Sequence, residues 1–188
     1  MKSPEYNETD YGPLACLLGT WSGDSGMDVA PEPDGDERNP FYETISFTAA
    51  GDATNAEEQS LAVVRYHQLV TKQSTGKVFH DQVGFWLWEP DSNLVIQTLT
   101  IPRAVTLLAG GKVVRDGSRT TFKVESKDGD PDWGIVQSPF MQAKARTLAF
   151  RHELTVEGDT LTYDETTLLD IYGKRNYEHT DRNTLYRA

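Results

Sequence analysis

Asn176-Tyr177-Glu178-His179-Thr180-Asp181-Arg182-Asn183-Thr184-Leu185-Tyr186-Arg187 ends one residue short of the C-terminus, and its alternation decides the fold. A polar C-terminal segment ordinarily frays, because nothing offsets the entropy of fixing it. This one keeps period two. Tyr177, His179, Asp181, Asn183 and Leu185 share one face; Glu178, Thr180, Arg182, Thr184 and Tyr186 share the other. The pattern suits the closing strand of a barrel, which would aim the His179 imidazole at whatever the barrel holds. A lone histidine is more often a surface or hydrogen-bonded group, so the rest of the chain has to decide.

Working outward, Arg146 to Val156 and Thr160 to Ile171 form a hairpin across Glu157-Gly158-Asp159. Further back, Val78 to Trp88 is the most informative interior strand. It puts His80, Gln82, Gly84, Trp86 and Trp88 on one face, with Phe79, Asp81, Val83, Phe85 and Leu87 on the other. Phe41 to Ala49 alternates Phe41, Glu43, Ile45 and Phe47 against Tyr42, Thr44, Ser46 and Thr48. Strands are also expected over Gly19 to Val29, Gln59 to Thr71, Leu94 to Ile101, Val105 to Val114 and Thr120 to Ser126. Gly110-Gly111 marks a bulge or bend. The prolines of Ala30 to Pro40 argue for a loop outside any ladder. Lys127 to Ala143 breaks the rhythm, yet Trp133, Ile135, Phe140 and Met141 make it an ordered loop or short helix packed on the body.

Near the N-terminus, Gly12-Pro13 opens a short helix whose Leu14, Leu17 and Leu18 follow helical spacing; Gly19 stops it. Such a helix is not stable alone, so its leucines are expected to plug one end of a barrel against Trp21. Residues 1–9 read as disordered and 10–188 as a single domain. About ten short strands with turns every 8–12 residues fit an antiparallel barrel or a sandwich. The expected fold is all-β: an antiparallel up-and-down β-barrel of about ten strands with a short N-terminal helix.

Composition limits the function. With 18 basic and 29 acidic residues the net charge is −11, which disfavours nucleic-acid backbones and anionic membranes as partners. One cysteine, Cys16, excludes an intrachain disulfide and suits a reducing cytoplasm; it sits in the apolar stripe of the helix, a structural place. No apolar run approaches a membrane span. The expectation is a cytoplasmic monomer or homodimer holding a small molecule.

No HExxH, paired cysteines, P-loop or GxSxG is present. Asp164 and Glu165 are adjacent in a strand, so they face opposite ways. His67 and His152 lie in charge-rich strands and are expected outward. His80 and His179 share faces with amide and aromatic side chains, a mixture that suits a lined cavity. A neutral imidazole binds iron when its other ring nitrogen is held. Cations at the rim for acidic groups of a cofactor are Arg103, Arg182 or Arg187.

Gly19-Thr20-Trp21-Ser22-Gly23 after a leucine helix, Phe79-His80-Asp81-Gln82-Val83-Gly84-Phe85 in mid-chain, and a histidine in the last strand together resemble the nitrobindin family. These are heme-binding β-barrels, also described as like fatty-acid-binding proteins and lipocalin-like in shape. The resemblance covers most of the chain in order. It implies heme b, with His179 as the iron ligand and His80, Gln97 and Trp86 lining the cavity. It also implies nitric oxide binding and peroxynitrite isomerisation. The alternative is a carrier of a fatty acid or other apolar ligand that binds no heme. One departure is clear: where the family's first strand continues Gly-x-Gly-x-Gly before Tyr-Pro-Thr, this chain reads Asp24-Ser25-Gly26-Met27-Asp28-Val29 and then an acidic loop.

Overall fold

The computed structural model describes residues 8–188. Most of the segment read as disordered therefore lies outside the described residues. A 3-10 helix, Gly12–Leu17, leads into eleven strands: β1 (Gly19–Glu32), β2 (Gly35–Asn55), β3 (Gln59–Lys72), β4 (Val78–Glu89), β5 (Leu94–Ile101), β6 (Val105–Asp116), β7 (Arg119–Lys127), β8 (Ile135–Gln137), β9 (Ala145–Glu157), β10 (Thr160–Ile171) and β11 (Lys174–Arg187). One short helix, α1 (Pro139–Lys144), lies between β8 and β9.

Ten strands close a barrel. Neighbours run β5-β4-β3-β2-β1-β11-β10-β9-β7-β6, and β6 returns to β5. All ladders are antiparallel, so each hairpin is local and only β7–β9 bridges an excursion. That excursion is the irregular segment after Lys127. It supplies β8, which pairs with Val105 to Leu107 of β6, and α1, whose Ser138 side chain accepts a hydrogen bond from the Met141 N–H.

The topology separates two ends. The Gly12–Leu17 helix sits at the end where β1 begins and β11 finishes. There Leu14, Leu17 and Trp21 are wholly buried, and the Trp21 indole donates to the Leu17 carbonyl at 2.7 Å. Gly12 has φ +50°, and a Cβ there would lie 2.1 Å from the Trp88 ring, so the plug seats only on glycine. The β1–β2, β3–β4, β5–β6 and β10–β11 hairpins gather at the opposite end.

Two expectations are corrected. The proline-rich stretch Ala30 to Pro40 is no loop: β1 runs to Glu32, turns at Pro33-Asp34, and pairs with β2 through Pro31↔Asp36 and Met27↔Pro40. Pro31 lies beyond Val29, the last β1 residue paired with β11, so its missing N–H costs that neighbour nothing. Gly110-Gly111 makes no bulge either; both of its ladders keep register. These glycines serve close approach, since a Cβ on Gly110 would meet the Trp133 ring at 2.2 Å and one on Gly111 the Lys123 carbonyl at 1.8 Å.

A real bulge lies in β1. Its register with β2 shifts between Gly23 and Gly26, and with β11 between Ser22 and Met27. One slipped residue reverses the faces of everything after it. Trp21 points inward before the bulge, and Asp28 points inward after it.

Candidate functional site

β11 presents the face its alternation implies: Asn183 and Leu185 are buried, while Tyr177, His179 and Asp181 are half-buried toward the hairpin end. Asp28 of β1 stands directly opposite Asp181 in the ladder, and Thr167 of β10 opposite His179. The His179 Nε2–H donates to Asp28 Oδ1 at 2.6 Å, and Asp181 Oδ2 lies 3.5 Å from the same nitrogen. His179 Nδ1 makes no hydrogen bond among the described residues. The second Asp28 oxygen accepts from Asn39 Nδ2 at 2.9 Å. Asn39 also donates to Glu37 at 3.0 Å, and Glu37 accepts from Lys72 Nζ at 2.7 Å.

Burial alone would push Asp28 up and His179 down. Burial is the largest single influence on each, but the hydrogen bond between them does not act alone. It is joined by the Asn39 bond and the His179 charge on Asp28, and by the Asp181 and Asp28 charges on His179. The sum leaves Asp28 below the usual carboxylate range and His179 above the usual imidazole range. Asp181 has no such bond. Burial raises it well above its ordinary value, against the attraction of His179, and the neighbouring carboxylates Glu165, Asp28 and Glu43 add to the rise.

His80, at the start of β4, belongs to the same end. Its Nε2 faces Gln82 Oε1 at 3.2 Å, and burial lowers its pKa, with Arg103 and His179 close enough to contribute repulsion. A hollow of about 290 Å³ opens beside it, lined by Val78, Phe79, His80, Asp81, Ile101, Pro102 and Arg103; His179 is not among its walls. Of the three rim arginines considered, Arg103 alone borders this hollow. Arg187 stands at the plugged end with its guanidinium 4.1 Å from the Trp21 ring centroid, and Arg182 points outward.

The middle of the lumen is packed and polar. Tyr66 accepts from Gln82 at 2.8 Å and Gln97 at 3.1 Å, and donates to the Thr98 carbonyl at 3.2 Å. Gln97 Oε1 faces His152 Nδ1 at 3.0 Å, so that nitrogen carries the proton. Gln97 and Trp86 are fully buried in this layer, and neither lines the hollow beside His80. Below it, Glu43 accepts from Gln68 (2.6 Å), Asn183 (2.7 Å) and Tyr163 (3.0 and 3.1 Å), tying β2 to β3, β10 and β11. Burial still raises Glu43 to about 7, and burial with the charge of Glu43 raises Glu165 to about 8.

His152 is a correction. It was expected outward and is buried, 7 % exposed, on the inner face of β9 with Phe150 and Leu154. Arg151 and Glu153 do carry charge outward, and period two therefore turns His152 in. Burial lowers its pKa to about 3, so the ring is neutral, and its Nε2 is buried without a partner. His67 is outward as expected, 2.9 Å from Asp81.

Asp28, Glu43, Glu165 and His152 were missed as lumen groups. Glu43 was visible as the one charge on the Phe41–Ile45–Phe47 face. Asp28 was not visible, because the β1 bulge reverses its side.

Fold and site together define a class: a closed ten-stranded β-barrel, plugged by a helix at one end and carrying a carboxylate-held imidazole at the other. Residues 10–187 match the family model described as the THAP4-like, heme-binding β-barrel domain, and the chain belongs to that family. The cofactor of that family is heme. Among solved structures, that of Rv2717c from M. tuberculosis superposes with a TM-score of 0.72 at 20 % identity, covering 95 % of this chain and 99 % of that one. At that identity the likeness is one of fold. No curated protein matches the chain in sequence.

The residues present fit heme. His179 offers an imidazole whose Nε2 is held by Asp28 and whose Nδ1 has no hydrogen-bond partner among the described residues, so that in the neutral ring Nδ1 is the nitrogen a metal would take. Arg103 places a cation beside the adjoining hollow, where a propionate would need one.

Proposed function

We propose that the barrel binds heme b at the hairpin end, with His179 as the protein ligand to iron and His80 and Arg103 beside the group. The observation that carries this reading is the His179–Asp28 hydrogen bond, which fixes the ring through Nε2 and makes Nδ1 of the neutral imidazole the ligand atom. Held there, heme would supply an iron atom able to bind a small ligand such as nitric oxide. The chain's own residues hold the imidazole, supply the rim cation and fill the lumen beneath. The family resemblance extends this reading to nitric oxide binding and peroxynitrite isomerisation at that iron. An apolar carrier suits the site less, because a fatty-acid chain would have to displace the hydrogen-bonded Tyr66, Gln82 and Gln97 layer.

A divalent cation is a second reading. One ligand atom each from Asp28, His179 and Asp181 lies within 4.8 Å of the others. Hemin titration followed by absorption separates the two. Wild type should develop a Soret band at one equivalent that His179→Ala loses, while Zn²⁺ at equal concentration leaves it in place. No band in wild type, or an identical band in the variant, removes the His179 assignment. Loss of the band to stoichiometric Zn²⁺ favours the cation.

A further inference from the structure

Asp28 is not one of the groups that sequence patterning or family resemblance marks, and its surroundings are built around its charge. It accepts from His179 on one oxygen and from Asn39 on the other, and Asn39 is itself held by Glu37, which Lys72 holds in turn. Asp28 is 3 % exposed and Asn39 4 %, so the bond between them is shielded from water, while Glu37 and Lys72 at the outer end of the chain of bonds meet solvent. A buried carboxylate accepting the N–H of a histidine draws that proton toward itself. The ring then gains imidazolate character, and its other nitrogen becomes a stronger electron donor.

We propose that Asp28 is a positioning residue that makes His179 a strongly donating iron ligand and so biases the bound iron toward the ferric state. The inference rests on the heme reading above and goes beyond it, because it assigns the oxidation-state preference to a carboxylate on the first strand. Asn39 sets the strength of the effect. By donating to the far oxygen of Asp28 it withdraws charge from the carboxylate and moderates its pull on the His179 proton. The segment that supplies these groups, from Asp28 through Glu37 to Asn39, includes the part of the chain that departs from the glycine-rich first strand of the resembled family.

The two partners of Asp28 give variants with opposite signs. Asp28→Asn keeps an oxygen for the His179 N–H but removes the charge. Asn39→Ala keeps the charge and removes the donor that moderates it. Potentiometric titration of the hemin-loaded, full-length protein should show Asp28→Asn favouring the ferrous form at least tenfold over wild type, a rise of about 59 mV for one electron. Asn39→Ala should move the midpoint the other way, by a few-fold. In the hemin-free protein, the ¹⁵N shifts of His179 should place a proton on Nε2 in wild type and show a less polarised N–H, with less imidazolate character, in Asp28→Asn. Mere loosening of the site would shift both midpoints in one direction, which overturns the proposal. Unchanged midpoints with normal hemin uptake overturn it and leave the heme reading standing. Failure of wild type to take up hemin overturns both. If Asp28→Asn does not fold, the sign of the Asn39→Ala shift alone decides.

Discussion

The two ends of the barrel are built from the same pair of strands and do opposite things. At the plugged end β1 contributes Trp21 and β11 contributes Leu185, both wholly buried, and the nearby charge of Arg187 stays outside, over the indole face. At the hairpin end β1 contributes Asp28 and β11 contributes His179, held to each other by a hydrogen bond, with Asp181 beside them. Between them β1 bulges. The difference teaches that one ladder can serve packing at one end and chemistry at the other. A slip of register separates the two without a break in the barrel.

The comparison breaks hardest at the plug. Trp21→Ala removes the largest buried side chain there together with its bond to Leu17, and should destabilise by about 3–5 kcal/mol in urea denaturation. A loss below about 1 kcal/mol would mean that the plug is not what closes this end.

The lumen between the two ends is sharpened by pH. Glu43 and Glu165 have folded values near 7 and 8 against 4.5 when free, so the folded state holds extra protons between those limits. The stability they contribute is complete below about pH 4.5 and is lost as pH rises through 7 and 8, with a slope of up to about 1.4 kcal/mol per pH unit for each group. His152 works in the other sense. Its folded value near 3 against 6.5 gives stability present above 6.5 and lost as pH falls toward 3. Between pH 4.5 and 6.5 the raised carboxyls Glu43, Glu165 and Asp181 oppose one histidine, so the urea midpoint should decline across the whole span from about 4.5 to 8. Glu165→Gln should flatten the part above 7. A midpoint that climbs from 5 to 8 would show that the lumen carboxyls stay ionised in the folded protein.

The smallest effect is expected at the edge of the plug. Arg187 stacks on Trp21 and donates to the carbonyls of Leu18 (2.6 Å) and Cys16 (3.1 Å). Arg187→Met keeps most of the contact area and loses the cation, for a cost of about 1 kcal/mol. Hemin uptake should be unchanged, since Arg187 lies at the far end of β11 from His179. Altered uptake would mean that the two ends are coupled.

The sequence by itself determined the elements whose signal is local. Period two along β11 and β4 placed His179, Asp181, Gln82 and Trp86 on inner faces, and helical leucine spacing beside Gly19-Thr20-Trp21 placed the plug. Those patterns need only a strand or a helix to be true. The tertiary structure decided what depends on register and on partners far away in the chain. Asp28 faces the lumen because the β1 bulge reverses the alternation that Trp21 sets. Glu43 is held by partners 25, 120 and 140 residues away, which no window of sequence contains. His152 turned inward because its charged neighbours occupy the outer face of the same strand, so the composition of the strand was a poor guide to the direction of one side chain. Arg103, rather than Arg187, borders the hollow because antiparallel strands return the β5–β6 turn, and not the C-terminus, to the end where His179 lies.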